Sequence, residues 1–299
     1  MIQSHIGESA ALLTAFFWTI TALAFEAASK RVGSLTVNIL RLSIAFVIFS
    51  VFGFFSRGIF FPYDASLHNW CWLALSGLVG FVFGDYMLFR AYVLIGARIS
   101  MLIMALAPPI AAITGWVMLG EAFSLQHLFG MLLTLSGIAL VILKKNEQKT
   151  ERIRFSYPVK GLLIALGGAA GQGIGLVFSK YGMQDYNAFA ASQIRVFTGA
   201  LGFGVLFFIF RSWKKVGTAL KSRKTMKSLL IGSFFGPFLG VSFSLISIQY
   251  TTTGIASTIM AIVPVLIIPP SIWFKKEKIK KIEIAGAVIA VIGVAIFFL

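Results

Sequence analysis

Acidic charge is scarce in this chain: ten Asp and Glu stand among 299 residues, against 26 Lys and Arg. The single cysteine, Cys71, excludes an intrachain disulfide and leaves the redox compartment unread. Three histidines, His5, His68 and His127, fall at a terminus, in a loop and at a helix start, without the spacing of metal ligands. There is no Ser-His-acid group, no P-loop, and no pair of acid-rich motifs that could hold Mg²⁺ for membrane prenyl transfer. These absences argue against hydrolytic, metal-dependent and nucleotide-driven chemistry. No metal and no cofactor is expected, and the chain is not expected to be an enzyme or, alone, an ATP-driven pump.

What is abundant is apolar: 58% hydrophobic residues, 30 Phe and 29 Gly, with a mean hydropathy of +0.91. A soluble domain carries roughly 45–50% apolar and about 25% charged residues, so the chain belongs in a bilayer. Stretches long enough to cross one predict helices near 8–28, 35–55, 70–89, 97–119, 124–143, 160–179, 187–210, 228–249, 253–274 and 282–299. The first carries Glu26, lacks a basic n-region and has a counterpart in the sixth, so it is expected to remain as a helix and not to be cleaved as a signal peptide.

The second half repeats the first. An offset of 156 pairs Gly80 with Gly236, Gly84 with Gly240, Met104-Ala105 with Met260-Ala261, Pro108 with Pro264, Glu121 with Glu277, Gly130 with Gly286 and Gly137 with Gly293. Earlier the offset shortens to 154, pairing Arg41 with Arg195, and then to 150, pairing Ser29-Lys30 with Ser179-Lys180. One unit of five predicted helices occurs twice, over 1–143 and 160–299, joined by a basic linker at 144–159.

The net charge of +16 raises nucleic-acid binding as a possibility, which the placement of the charges excludes. Of the 26 basic residues, 22 lie in odd-numbered connections, Arg57 and Lys180 in even-numbered ones, and Arg41 and Arg195 inside helices. By the positive-inside rule the odd connections are cytoplasmic and both termini are outside. Because five is odd, the second unit must enter the membrane from the opposite side, giving two inverted repeats. That is an architecture of secondary transporters, in which two similar halves exchange conformations around a site between them. The fold class is therefore an all-α integral membrane protein of ten spans.

Ionisable groups within spans cost roughly 2.5–3.5 kcal/mol each on insertion scales and are functional candidates by default. Glu8, Asp64, Glu121, Glu147, Glu151, Asp185, Glu277 and Glu283 fall at ends or in connections, leaving Glu26 and Asp85. Asp85, next to Tyr86, could receive a substrate amine or a coupled proton, or could form an ion pair with Arg90 or another helix. Glu26 lies one turn before Lys30, so a local pair that snorkels towards the surface is its bland reading. Arg41 and Arg195 either bond helix-end carbonyls or grip a substrate carboxylate or phosphate. Their equivalence across inverted halves predicts opposite membrane faces, so both are not expected at the centre. Gln172, Gln193, Asn38, Trp18 and Tyr250 could supply neutral hydrogen bonds or stacking.

Small residues recur at every fourth position as Ser76-Gly80-Gly84, Gly232-Gly236-Gly240 and Gly167-Gly171-Gly175, with Gly168 and Gly173 beside the last. Helix packing explains them best, since the Gly171–Gly175 run lacks the preceding strand and third spacing of a nucleotide loop. Pro108, Pro109, Pro264, Pro269 and Pro270 predict kinks in the fourth and ninth helices.

The run Met104-Ala105-Leu106-Ala107-Pro108-Pro109 through Gly120-Glu121 to Gly130 and Gly137, with its echo Met260-Ala261-Ile262-Val263-Pro264 through Lys276-Glu277 to Gly286 and Gly293, resembles the end of an EamA domain. Trp18, Leu40-Arg41-Leu42 and Gly84-Asp85-Tyr86 to Ala91 are also similar to positions of that family. The resemblance covers nearly the whole chain. It implies the drug/metabolite transporter superfamily: ten-helix carriers around a central cavity, often exporters of amino acids, related metabolites or toxic compounds. Members are often described with cytosolic termini, opposite to the charge count. Lys276 replaces the glycine usual before Glu277, and Asp85 stands where a small or apolar residue is usual, so the resemblance implies for Asp85 a role towards this protein's own substrate and not in the family mechanism.

The expectation is a secondary transporter in a bacterial plasma membrane, exporting a small metabolite or amino-acid-like compound by alternating access, as a monomer or a homodimer. The alternative within transport is a proton-coupled multidrug antiporter using Glu26 or Asp85 as its proton site. Alternatives of other classes are a membrane-embedded enzyme or lipid-modifying protein, whose clustered acids or histidines are not found, and a scaffold, which has no need of an inverted repeat.

Overall fold

The computed structural model describes residues 5–119, 125–144, 154–210, 213–250, 256, 259–277 and 279–298; Glu121, Glu147 and Glu151 lie outside them. The chain folds into helices because lipid offers no partner to a free amide, and only a helix or a closed barrel satisfies its own backbone. The exterior is correspondingly apolar: Phe55 and Phe274 are 82% and 83% exposed, which only a hydrocarbon solvent tolerates across a whole surface.

In the first repeat α1 spans Ile6–Val32 and α2 Ser34–Arg57. The single residue between them, Gly33, has φ +84°, a conformation that side chains with a Cβ resist. Next, α3 (Leu67–Gly77), a π-helical segment (Leu78–Asp85) and α4 (Tyr86–Met104) form one column. After these come α5 (Ala107–Leu119) and α6 (Leu125–Ile142). A two-residue antiparallel ladder, β1 (Leu143–Lys144) with β2 (Arg154–Phe155), brackets the basic linker.

The second repeat comprises α7 (Val159–Met183), α8 (Ala188–Phe210), a short α9 (Trp213–Lys221) within the basic connection, and α10 (Arg223–Ser233). A second π segment (Phe234–Gly240) leads into α11 (Val241–Tyr250). Last are α12 (Val263–Leu266), α13 (Ile268–Lys275) and α14 (Lys281–Phe298). Among the described residues, six helical columns are long and apolar enough to cross a membrane: Ile6–Val32, Ser34–Arg57, Leu67–Met104, Val159–Met183, Ala188–Phe210 and Arg223–Tyr250. Shorter apolar helices cover Ala107–Met118, Leu128–Ile142 and Val263–Lys275. The chain is a multi-pass membrane protein.

Two expectations change. The third predicted helix does not end near residue 89. It stays helical because Ala91, Tyr92 and Ile95 are buried, and it breaks at Gly96, where φ +79° and ψ 161° leave the helical region. The prolines do not bend continuous helices either. In the first repeat α4 ends at Met104, and Pro108 and Pro109 fall in the first turn of α5. In the second, Pro264 opens α12 and Pro269 and Pro270 open α13. A proline is tolerated in a first turn because its missing N–H would have no partner there, so the residues expected to kink a helix begin a new one. The interruption falls at the same motif in both copies. Ala105 and Leu106 donate to Leu102 and Ile103 carbonyls, and Ile262 donates to Ile259, three residues back in each case.

Both π segments start at equivalent residues, Leu78 and Leu78's counterpart Phe234, 156 positions apart. The first lies on α7 through glycine: a Cβ on Gly171 would stand 2.5 Å from Gly84 Cα, and one on Gly175 would stand 3.0 Å from Gly80 Cα. The second lies on α1 through Trp18, Thr21 and Phe25, which meet Gly240, Gly236 and Gly232. At the offset of 150 those three occupy the places of Gly168, Gly171 and Gly175. The contact surface is conserved between the halves and its side chains are exchanged from small to large. The final helices of the repeats, α6 and α14, pair through Gly137 and Gly293, whose added Cβ atoms would meet the opposite backbone at 2.5 and 2.4 Å.

Candidate functional site

A cavity of about 150 Å³ lies between the repeats. At roughly 10–15 Å³ of such volume per water, it holds on the order of ten waters or one small metabolite. Both copies of the interruption motif line it: Met104, Ala105 and Pro108 from the first repeat, Met260, Ala261 and Pro264 from the second. Phe81 and Asp85 come from the first π segment, Gly236 and Pro237 from the second. π-helical turns recur at functional sites because the extra residue turns side chains and carbonyls out of helical register.

At the cavity wall Asp85, 6% exposed, is ion-paired through Oδ2 with Arg41. Its Oδ1 accepts from Gln172 Nε2 at 2.6 Å, and the same amide donates to the Gly80 carbonyl at 3.0 Å. Asn38 stands behind the pair: its Oδ1 accepts from Arg41 Nε at 2.8 Å, and its Nδ2 donates to the Ser34 carbonyl at 3.1 Å and the Asp85 carbonyl at 3.4 Å. Arg41 also lies against the Phe89 ring, 4.7 Å from its centroid. Arg195 reaches the same place from α8, with its guanidinium 4.9 Å from the Phe81 centroid. Its Nε is buried without a hydrogen-bond partner among the described residues.

Both arginines therefore line one cavity, which corrects the expectation that they lie apart. Each stands seven residues inside its helix, Arg41 from Ser34 and Arg195 from Ala188. At 1.5 Å per residue that is about 10 Å, within about 5 Å of the middle of a 30 Å hydrocarbon core. Long side chains cover the remainder.

Of the other residues singled out, Trp18, Gln172, Pro108 and Pro264 line the cavity. Tyr86 packs instead in an apolar cluster with Phe238 and Val241. Gln193 anchors the turn after α2, donating to Ser50 Oγ at 3.2 Å and the Phe60 carbonyl at 2.7 Å. Tyr250 is 65% exposed. Tyr92, Phe89, Met101 and Ser244 line the cavity without having been singled out. Their residue types are ordinary in a membrane helix, and only the Gly96 break and the π register turn them inward.

Glu26 lies outside the cavity and, against the snorkelling expectation, is 1% exposed. Lys30 does reach it at 2.7 Å, and Lys275 of the second repeat pairs with its other oxygen. Nearby, Arg98 bridges Glu277 at 3.1 Å and Glu283 at 3.3 Å, and Tyr157 donates to Glu283 at 3.0 Å. Burial and that bond push the Tyr157 phenol up, so it remains a donor at physiological pH. This group ties α1 and α4 to α13 and α14 at the face carrying the basic connections. At the other face, Arg57 pairs with Asp64, which accepts from Tyr186 at 2.9 Å. Burial pushes the Tyr186 phenol up to about 12. Each end of the molecule thus carries a polar clasp between repeats.

The EamA-like transporter family matches the chain twice, over residues 5–143 and 159–299. A solved crystal structure, 17% identical with a TM-score of 0.66, matches over 97% of this chain and 95% of the other; at that identity the likeness is one of fold. No curated protein matches.

Proposed function

Since the chain belongs to the EamA-like transporter family, we propose that it is a secondary carrier moving a small metabolite by alternating access through the cavity between its repeats. The observation that carries this reading is the double contribution of one motif: Met104-Ala105 with Pro108 and Met260-Ala261 with Pro264 meet across the same cavity. Interrupted helices from two related halves supply a wall that rearranges without breaking continuous hydrogen-bond ladders. The architecture proposed is ten spans in two inverted sets of five, over 1–143 and 160–299 with the linker at 144–159. The six long columns supply most of them. The interrupted α5, the pair α12 and α13, and the terminal α6 and α14 supply the rest, with the long column dividing at Gly96.

Alternating access requires the two clasps to open in turn. Replacing Arg98 by Gln releases Glu277 and Glu283 together, so the basic-face clasp weakens while the Arg57–Asp64–Tyr186 clasp remains. Partly exposed pairs are each worth up to about 1 kcal/mol, enough for a several-fold population shift. We expect Arg98→Gln to raise thiol labelling of cavity cysteines from the basic face several-fold and to slow transport in proteoliposomes. Unchanged labelling would deny the clasp its gating role.

The charge distribution supports a cytoplasmic basic face and outward termini in a bacterial plasma membrane. In a Cys71→Ser background, Tyr63→Cys should react with an impermeant maleimide on intact cells, whereas Lys221→Cys should react only after permeabilisation. The reverse pattern would invert the molecule. Export rests on the resemblance to metabolite exporters. Asp85 and Glu26, the two candidate proton sites of a proton-coupled antiporter, are both held in ion pairs.

A further inference from the structure

We infer that the transported compound is a small monocarboxylate with an apolar body, docked as an anion on Arg195; this rests on the carrier reading above. The argument begins with charge. Among the described residues lining the cavity, the ionisable groups are Arg41, Arg195, Asp85 and Tyr92. Asp85 is committed to Arg41 through one oxygen and to Gln172 through the other. That leaves a second guanidinium, 4% exposed, which shares the field of Asp85 but among the described residues forms no ion pair with it and keeps an unpartnered Nε. A buried uncompensated charge is among the costliest arrangements in a protein, and an anionic ligand relieves it. A guanidinium also presents paired N–H donors whose spacing fits the two oxygens of a carboxylate.

The remainder of the wall limits what the anion carries. One net positive charge balances a monoanion, whereas a phosphate dianion would overcompensate it. An α-ammonium group would need a free acid, and both Asp85 oxygens are already bonded. Apart from Gln172, Thr21 and Ser244, the rest of the lining is apolar or aromatic, including Phe81, Phe89, Met101, Met104 and Leu176. It suits a hydrocarbon body of a few carbons, and Trp18 at the wall reports on its arrival.

Three ligands of matched skeleton separate the possibilities on the purified full chain: 4-methylpentanoate, leucine and 3-methylbutylamine. We expect only 4-methylpentanoate to quench tryptophan emission saturably and to raise the thermal unfolding midpoint. Arg195→Gln should weaken its binding at least tenfold, with Arg195→Lys intermediate. Because Arg195 holds no ion-pair or hydrogen-bond partner among the described residues that its loss would strand, Arg195→Gln should unfold at the wild-type temperature or above it, an outcome that an arginine bonded into the scaffold would not give. Exchange of each ligand in proteoliposomes completes the test. If leucine or the amine is bound and moved while the carboxylate is not, the carrier reading stands and the anion assignment is overturned. Carboxylate binding that is unchanged in Arg195→Gln and Arg195→Lys overturns the role of Arg195. If no ligand of the panel is bound or moved, both readings fall.

Discussion

Asp85→Asn is expected to cost the protein about 3–5 kcal/mol of stability, the usual consequence of removing one partner from a buried ion pair, and to abolish transport. Asn38, Arg41, Asp85 and Gln172 form a connected set in which Asp85 is the one acidic group facing two guanidinium groups. Neutralising it leaves Arg41 and Arg195 repelling one another in a site that water reaches poorly. The double variant Arg41→Gln with Asp85→Asn should recover most of the loss, because it restores the original excess of one positive charge. Thermal unfolding in detergent of the two single variants and the double variant measures the coupling directly. If Asp85→Asn unfolds at the wild-type temperature, the pair contributes nothing and the polar centre described here is wrong. Asp85→Glu, which keeps the charge but lengthens the side chain by a methylene, should fall between, since Gln172 and Arg41 hold the carboxylate from two sides.

The repeat made the architecture legible. Offsets read from Gly80, Met104, Pro108 and Gly137 anticipated which helices are equivalent, and the equivalence extends to details that periodicity cannot supply, such as the matched π segments. Hydropathy found the six long columns because their apolar runs are continuous. It misplaced the junction at Gly96, where burial of Ala91, Tyr92 and Ile95 prolongs a helix that Arg90 suggested was ending. The polar centre was legible in composition: Asp85, Arg41, Arg195, Gln172 and Asn38 stand out because polar groups in spans are rare. Their mutual pairing was not, because depth along a helix fixes a residue's height and says nothing of how far its side chain reaches. Lys275 and Glu277 gave the opposite difficulty. At a helix end they look like solvated charges, and only the fold brings them to Glu26 and Arg98.

The repeat also shows where the two halves have parted. Asp85 corresponds to Val241, Gln172 to Ala22, and the glycines of α7 to Trp18, Thr21 and Phe25 of α1. Of the two crossings between the halves, one is glycine-lined and carries the polar centre, and the other is packed with large side chains. Two equivalent halves can exchange conformations, but a binding site on their axis need not be symmetric, and here the acid and its amide partner both come from outside the symmetry.

Gly171→Ala tests that crossing and is expected to cost about 3 kcal/mol, the upper part of the usual range for overpacking, with loss of transport. The added Cβ would stand 2.5 Å from Gly84 Cα and 2.9 Å from both Gly84 N and the Val79 carbonyl. All three are backbone atoms, so no rotamer relieves the contact and α7 must move away from the π segment. That displacement carries Gln172, the next residue, out of reach of Asp85 Oδ1 and the Gly80 carbonyl, so damage to packing becomes damage to the polar centre. Two controls separate this from any general effect of alanine. At Gly167 the added Cβ would meet first the Met87 sulfur, on a flexible side chain, and at Gly204 it would meet nothing within 4 Å. Gly204→Ala should match or exceed wild type, since alanine favours a helix interior over glycine by roughly 0.8–1.0 kcal/mol. Gly167→Ala should lie near wild type as Met87 yields. Unfolding midpoints ordered Gly204→Ala, Gly167→Ala, Gly171→Ala from highest to lowest are the expected result. If Gly171→Ala equals Gly204→Ala, the helices do not approach as closely as their glycines allow, and the path from helix contact to polar centre is broken.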